Sequence, residues 1–180
     1  MKRSGLLSAA LLLATGLTAC TNKQGTTEAN VFVTVDLPLQ PLIIKVQNPA
    51  PVTVKTINLA SHLKNGAASD PQGFSTIEVS SYSVVYSRRD GGTRVPQPDQ
   101  FGAGVILAAG GTAVLSNFPI MRQSAVQQSP FDQLLPFNGG IDRETGLNEI
   151  HIFYTLTFFG NTVSGQRVQS ETATADLFFQ

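Results

Sequence analysis

The sequence from Val31 onward predicts an all-β fold, built as an antiparallel sandwich of two sheets. Apolar residues recur with period two or in short β-branched runs, and clusters of Gly, Pro, Asn and Asp separate these runs. About eight runs of this kind within a region of about 150 residues agree with the strand content of a two-sheet sandwich.

Eight runs are predicted as strands, and one further stretch is predicted as helical. The stretch from Ser124 to Leu135 favours one or two helical turns, with Ser129 as a candidate cap and Pro130 at the first helical position. We interpret it as a short helical crossover at one end of the sandwich. The predicted strands are Val31–Asp36, Leu42–Gln47, Val52–Leu59, Ser75–Arg88, Gly104–Leu107, Thr112–Phe118, Asn148–Phe159 and Gln166–Phe179.

The clearest pattern lies in the last two predicted strands. Large apolar residues alternate with polar ones, which predicts one core face and one mostly solvated face. Because a polar loop with glycines at 160–165 joins these strands, we expect an antiparallel hairpin. The predicted core-facing residues are Ile150, Ile152, Tyr154, Leu156 and Phe158, followed by Ala173, Ala175, Leu177 and Phe179.

The alternation changes phase in two of the strands. Val79 and Tyr82 lie three residues apart, and so do Val54 and Ile57. A spacing of three inside a strand predicts a β-bulge, which twists the strand and redirects its side chains.

The predicted C-terminal hairpin resembles the last two strands of immunoglobulin-like and fibronectin type III-like domains. This resemblance is one of pattern, since the chain has a single cysteine and no tryptophan. It implies an immunoglobulin-like sandwich with Greek-key connections, and it carries over no functional residues. A lipocalin-like closed barrel is the competing fold, but irregular strand spacing and interrupting prolines favour the sandwich.

The first twenty residues predict an export signal. Met1-Lys2-Arg3 gives a charged start, an apolar stretch follows, and small residues precede Cys20. The apolar run from Leu6 to Ala19 has 14 residues, fewer than the ~20 needed to cross a ~30 Å hydrocarbon core. It is therefore predicted to be a signal peptide and not a permanent membrane span.

The residues Leu17-Thr18-Ala19-Cys20 resemble the lipobox of bacterial lipoproteins. The resemblance implies that residues 1–19 are removed, and that Cys20 receives a diacylglyceryl group and further acylation, for example by palmitate. In bacteria with two membranes an Asp after this cysteine commonly signals inner-membrane retention, so Thr21 implies the outer membrane where the organism has one. The alternative is an ordinary secreted protein with Cys20 near its cleavage site by chance.

The remaining chain divides into a polar tether, residues 20–30, and a domain, residues 31–180. Lys2 and Arg3 are the charged residues of the first nineteen, so the rest carries a net formal charge of −2. The longest basic run is Arg88-Arg89, which gives no electrostatic footprint for nucleic acid. The membrane, reached through Cys20, is the one partner that the sequence predicts directly.

Few residues suggest catalysis. The two histidines, His62 and His151, lie far apart and at no zinc-ligand spacing. We interpret His62 as a loop residue and His151 as a solvated or pairing residue on the polar face of its strand. Because no nucleophile elbow or phosphate-binding glycine loop occurs, we predict no cofactor, metal ligand or catalytic residue, and no enzyme.

The segment from Asn138 to Glu149 is the one oxygen-rich loop. Asp142, Glu144 and Glu149 are candidate ligands for a hard cation, although their spacing differs from that of an EF-hand. A solvated connection before the next strand is the simpler interpretation, with calcium binding as the alternative.

Two phenylalanines, Phe153 and Phe159, fall on the less apolar face of their strand. We interpret them as core residues, with an exposed binding surface as the alternative. The chain as a whole predicts a non-enzymatic protein-interaction module anchored at the cell envelope, with another envelope protein as its partner. The alternative function is a lipoprotein that binds a small ligand or glycan, which needs a concave site with aromatic platforms.

Overall fold

A computed structural model describes residues 29–38 and 40–180. The predicted signal peptide and lipidated Cys20 lie outside the described residues. In this part of the chain the strands are β1 Val31–Asp36, β2 Leu42–Ile44, β3 Val52–Leu63, β4 Ile77–Arg88, β5 Asp99–Leu107, β6 Thr112–Met121, β7 Ile150–Thr162, β8 Arg167–Gln169 and β9 Ala173–Phe179. Between β6 and β7 lie a short helix, α1 Gln123–Val126, and two 3-10 turns, Phe131–Leu134 and Pro136–Asn138.

The strands form two packed sheets, which confirms the predicted all-β sandwich. The smaller sheet has the order β1-β3-β6, and the larger has the order β2-β9-β7-β4-β5, with β8 also paired to β7. The pairings are antiparallel except that β2 runs parallel to β9. The parallel edge pair departs from the predicted antiparallel arrangement.

The core lies between the two sheets, and tyrosines of the larger sheet cross it. The hydroxyl of Tyr82 in β4 donates a 2.5 Å hydrogen bond to the carbonyl of Pro119 in β6, and the Tyr86 hydroxyl donates to the carbonyl of Ile120. Because both rings are buried, these bonds satisfy hydroxyls that would otherwise be left unpaired in the core. They also fix one sheet against the other.

The predicted faces of the C-terminal hairpin are confirmed. In β7 the five predicted core residues are buried, whereas His151 and Thr155 are half-buried on the opposite face. In β9, Leu177 and Phe179 are fully buried and Thr174 is exposed. Alternating side-chain direction along each strand therefore gives the larger sheet one face in the core and one outer face.

One of the two predicted bulges is confirmed as a change of register. The pairing of β4 shifts between Val79 and Ser81 against both of its neighbours. In β3 the register shifts earlier, between Val52 and Thr53. The burial alternation does change phase from Val54 to Ile57, but the pairing of β3 with β6 keeps one register there. A bulge at this position was therefore the wrong interpretation.

Several predicted boundaries differ from the structure. The last predicted strand divides into β8 and β9, because Ser170 bonds to Phe158 of β7 while the Glu171 amide donates to Val33 of β1 in the other sheet. The predicted cap at Ser129 is wrong, since the 3-10 turn after it has no side-chain cap bond. The Ser129 hydroxyl instead accepts a 2.9 Å hydrogen bond from the Gln133 amide.

The register of the strands divides the loops between two ends of the sandwich. The chain enters at one end, where the Lys64 amide donates to the Asn30 carbonyl over 3.0 Å and Ala29 is buried. This entry end also holds the loops 64–76, 108–111 and 163–166. The opposite end, called the far end, holds the segments 89–98 and 122–149.

Candidate interaction surface at the far end

A buried ionic network closes the far end of the larger sheet. Arg88, the last residue of β4, donates from Nε to Asp90 Oδ1 at 2.6 Å and from Nη2 to Asp90 Oδ2 at 2.8 Å. The same Nη2 donates to Asp142 Oδ2 at 2.7 Å. The side chains of Arg88, Asp90 and Asp142 are 2%, 6% and 0% exposed. A charge buried this deeply is tolerated because each group has close hydrogen-bonding partners.

The two buried carboxylates also accept hydrogen bonds from the turns around them. Asp90 accepts from the amides of Gly92 and His151, and Asp142 accepts from the amide and hydroxyl of Thr145. Burial raises the pKa of each carboxyl, but the Arg88 guanidinium and these donors outweigh burial and leave both pKa values below the ordinary value. Both aspartates are therefore held in the charged form.

A second set of contacts joins the two far-end loops to each other. Glu144 accepts hydrogen bonds from the amides of Thr93 and Arg94, at 2.7 and 3.0 Å, and from the Thr93 hydroxyl. These donors hold the pKa of Glu144 below its ordinary value. The side-chain oxygen of the buried Gln133 accepts from the Arg143 amide at 2.9 Å. The loop before β7 is therefore fixed on both sides.

The segment from Asn138 to Glu149 is mostly exposed, as expected of a solvated connection, but Asp142 within it is fully buried. The carboxylates of Asp142 and Glu144, which we considered as calcium ligands together with Glu149, accept hydrogen bonds from the protein itself. Among residues 29–38 and 40–180, no group of three or more His, Cys, Asp or Glu side chains is placed to hold a metal ion.

The fixed loop presents apolar side chains to solvent. Phe137 is 82% exposed, and Ile141 and Leu147 are each 46% exposed. Ile141 and Leu147 lie beside the turn that the Asp142 amide closes by donating to the Leu147 carbonyl at 2.8 Å. We call these three residues the far-end platform. Contiguous exposed apolar surface is typical of a protein-interaction site, so these residues are the first candidates for one at this end.

The outer face of the larger sheet carries a second cluster, formed by His151, Asp176, Phe178, Arg89 and Phe153. His151 Nε2 lies 2.9 Å from Asp176 Oδ1, and its ring stacks on Phe178 at 4.1 Å between centroids. The Arg89 guanidinium lies 5.2 Å from the Phe153 ring centre and 3.8 Å from Asp176. We call this group the outer-face cluster. His151 is thus a pairing residue on the outer face.

Two aromatic residues lie elsewhere than the sequence suggested. Phe153 and Phe159 are half-buried and outside the core, so the interpretation of them as core residues is wrong. The reason is that the smaller sheet packs on the opposite face of β7. His62 lies in β3 and not in a loop, because the strand continues to Leu63; its Nε2 is 3.1 Å from the Thr34 hydroxyl and its ring stacks on Phe32.

The surface of the far end offers a small polar cleft as well. It has a volume of about 330 Å³ and is lined by residues of the β5 approach and of α1, including Asp99, Arg122 and Ser124. Arg122 Nε donates to Asp99 Oδ1 at 2.8 Å, so the charged groups in this cleft are paired with each other. The polar lining of this cleft differs from the mostly apolar lining that is typical of small-ligand sites.

Fold and surface together define an all-β sandwich protein, compatible with an immunoglobulin-like domain, whose far-end loops are fixed by a buried ionic network. Comparisons of the chain with protein-family models, with curated proteins and with solved structures found no match. Across the described ranges, no helix has the length and apolar character to cross a membrane.

Proposed function

We propose that this chain is a lipid-anchored protein of the bacterial cell envelope whose immunoglobulin-like sandwich is a non-enzymatic module for binding another envelope protein. The lipobox-like residues Leu17 to Cys20 support the anchor. Thr21 in place of Asp supports the outer membrane, where the bacterium has one. Two or three acyl chains, at ~0.8 kcal/mol per buried methylene, hold such a protein firmly at a membrane.

The observation that carries the proposal is that the chain enters the sandwich at one end, beside Ala29 and Asn30, and the far-end platform lies at the opposite end. An anchor that precedes Ala29 is thus attached to the entry end and leaves the platform directed away from its attachment point. This is the arrangement expected of a module that reaches a partner beyond its own membrane surface.

The platform also has the chemistry of a binding site. Phe137 gives an exposed aromatic anchor, and the charged Arg143 and Glu144 belong to the same far-end segment. Exposed aromatic residues surrounded by polar groups dominate the energy of many protein interfaces. Because the Arg88 network already orders the loop, a partner that binds there need not offset the entropy cost of ordering it.

The test is site-specific photo-crosslinking in intact envelopes. We expect Phe137→p-benzoylphenylalanine to give a discrete crosslinked species after irradiation. The matched control is the same probe at Val114, which is 65% exposed on the outer face of the smaller sheet, opposite to its core face. We expect the control position to give none.

A second pair of variants distinguishes a specific interface from random collisions. The crosslink at 137 should disappear when Ile141→Asp and Leu147→Asp are combined, and it should persist with Val114→Asp. Equal crosslinking at 137 and 114, or a crosslink at 137 that survives the double change, contradicts a binding site on the platform.

The outer-face cluster supports a second candidate function, binding of a small ligand or glycan. This candidate is supported by the packing of Phe178 on His151 and of Arg89 over Phe153, which places aromatic rings next to hydrogen-bonding groups. NMR titration with soluble oligosaccharides should then shift the resonances of His151 and leave those of His62 unchanged. His62 is a suitable control because it also stacks on a phenylalanine. An unchanged His151 spectrum removes this candidate.

A further inference from the structure

The entry end carries two exposed apolar side chains that belong to neighbouring loops. Phe74 is 57% exposed and Val163 is 58% exposed. Their backbones are joined, since the Val163 amide donates to the Thr76 carbonyl at 2.8 Å and the Ser164 amide donates to the Phe74 carbonyl at 3.3 Å. The two apolar side chains therefore come from one continuous tip, which we call the entry-end tip.

The entry-end tip is held in shape by local hydrogen bonds. Asp70 accepts from the amides of Gln72 and Ser75 at 3.1 and 2.7 Å, which fixes the turn before Phe74. On the other side, the Thr162 hydroxyl accepts from the Gln166 amide at 3.0 Å. The exposure of Phe74 and Val163 is thus imposed by ordered turns, and in water it leaves apolar surface uncovered.

The chain ahead of the sandwich indicates what covers this surface. The eight residues between Cys20 and Ala29 span at most ~30 Å even when fully extended, at ~3.3–3.6 Å per residue. Ala29 and Asn30 lie at the same end as Phe74 and Val163. A lipid on Cys20 consequently keeps the entry end close to the bilayer.

Long basic side chains lie at the entry end, where they can reach lipid headgroups. Lys64 and Arg167 are exposed at the entry end and line one cleft of about 290 Å³ together with Phe32. Long basic side chains place their charge among lipid headgroups while their stems lie along apolar surface. Acidic groups lie at this end as well, since Asp70 accepts from the backbone amides of Gln72 and Ser75 and Glu78 is exposed near the start of β4.

We propose that the entry-end tip inserts Phe74 and Val163 into the interface of the bilayer that carries the anchor, and so sets the orientation of the sandwich on the membrane. This inference rests on the proposed lipid anchor at Cys20. It adds a second, non-covalent contact between the protein and the membrane. The sandwich then stands with its far-end platform pointing outward instead of lying on one of its sheets.

The test uses tryptophan fluorescence, because the natural chain has no tryptophan. The full lipidated protein carrying Phe74→Trp is reconstituted into phosphatidylethanolamine and phosphatidylglycerol vesicles with brominated acyl chains. We expect a blue-shifted emission and strong quenching by bromine. The matched control is Phe137→Trp at the far end, where quenching should be several-fold weaker.

The outcomes separate this inference from the proposed anchor. Flotation of the vesicles and the mass of the acylated peptide report the anchor, whereas quenching reports the tip. A protein that floats but shows equal quenching at 74 and 137, or stronger quenching at 137, overturns the inference and leaves the anchor in place. A protein that neither floats nor carries an acyl chain overturns both.

Discussion

Arg88 Nη2 donates to Asp142 Oδ2 across 2.7 Å and joins the end of β4 to a loop 54 residues later in the chain. Removing one member of a buried ion pair leaves the other charge without compensation, at a cost of about 3–5 kcal/mol. The pair thus makes the loop that carries the far-end platform part of the folded unit.

The first prediction concerns this pair. Arg88→Met should lower the free energy of unfolding by about 3–5 kcal/mol, because Asp90 and Asp142 stay buried without their cation. Arg89→Met is the control, since the side chain of Arg89 is 56% exposed and such a surface change costs little. Urea denaturation of the two variants measures the difference. Equal midpoints for both would mean that the network adds no stability.

The second prediction concerns pH. Asp90, Asp142 and Glu144 have pKa values below their ordinary values of 3.8, 3.8 and 4.5. Below about pH 4 the unfolded chain therefore binds protons that the folded chain does not, so stability should fall as the pH falls through the folded pKa values. The urea midpoint measured from pH 7 to pH 2 should decline in this window. The decline should be shallower in Arg88→Met, and an equally steep decline would contradict the assignment.

The third prediction concerns Gly160, which pairs with Val79 beside the bulge of β4. A Cβ at Gly160 would lie 2.4 Å from the Glu78 carbonyl oxygen and 2.9 Å from the Val79 Cα, and both are backbone atoms. Gly160→Ala should therefore destabilise the domain by about 1–3 kcal/mol. Gly102→Ala is the control, because its nearest atom would be 4.0 Å away. Thermal unfolding should separate the two variants clearly.

The fourth prediction concerns the faces of β7. Leu156 is fully buried, whereas Thr155 is half-buried on the outer face near Thr174. Leu156→Ala should cost about 2–5 kcal/mol and Thr155→Ala far less. Denaturant titration gives both free-energy losses, and similar losses would contradict the assignment of Leu156 to the core face and Thr155 to the outer face.

The fifth prediction concerns the proposed anchor. Cys20→Ala should abolish incorporation of a labelled fatty acid and leave the precursor uncleaved or cleaved elsewhere, because only a thiol at this position can accept the lipid. Cys20 is the single cysteine of the chain, so no other thiol can replace it. Metabolic labelling that stays unchanged in the variant would refute the anchor.

The sequence predicted more of the fold than of the candidate surface site. Period-two alternation identified the core face of β7 and β9, because successive side chains of a strand point to opposite faces of the sheet. The strand break at Ser170 could not be predicted in this way, because it depends on a bond from Glu171 to Val33 in the other sheet. Local pattern carries no information on such contacts.

The ionic network was missed for the same reason. Arg88 and Asp142 lie in separate segments, and the residues around each of them do not indicate that the two side chains pair. The local signals were the turn at Asp90-Gly91-Gly92 and the placement of Thr145 three residues after Asp142. These indicate turns, in which an aspartate accepts from nearby amides, and they do not reveal that the turns share one guanidinium.

The parallel pairing of β2 with β9 has a consequence for biosynthesis. β2 is made early, and its partner β9 is made only after every other strand described. Contacts between segments so distant in sequence form slowly, because a long loop must close first. An exported chain that crosses a membrane with its N-terminus leading would thus expose β2 on the far side long before β9 emerges. During the proposed export, β2 would therefore remain without its pairing strand until β9 has followed it.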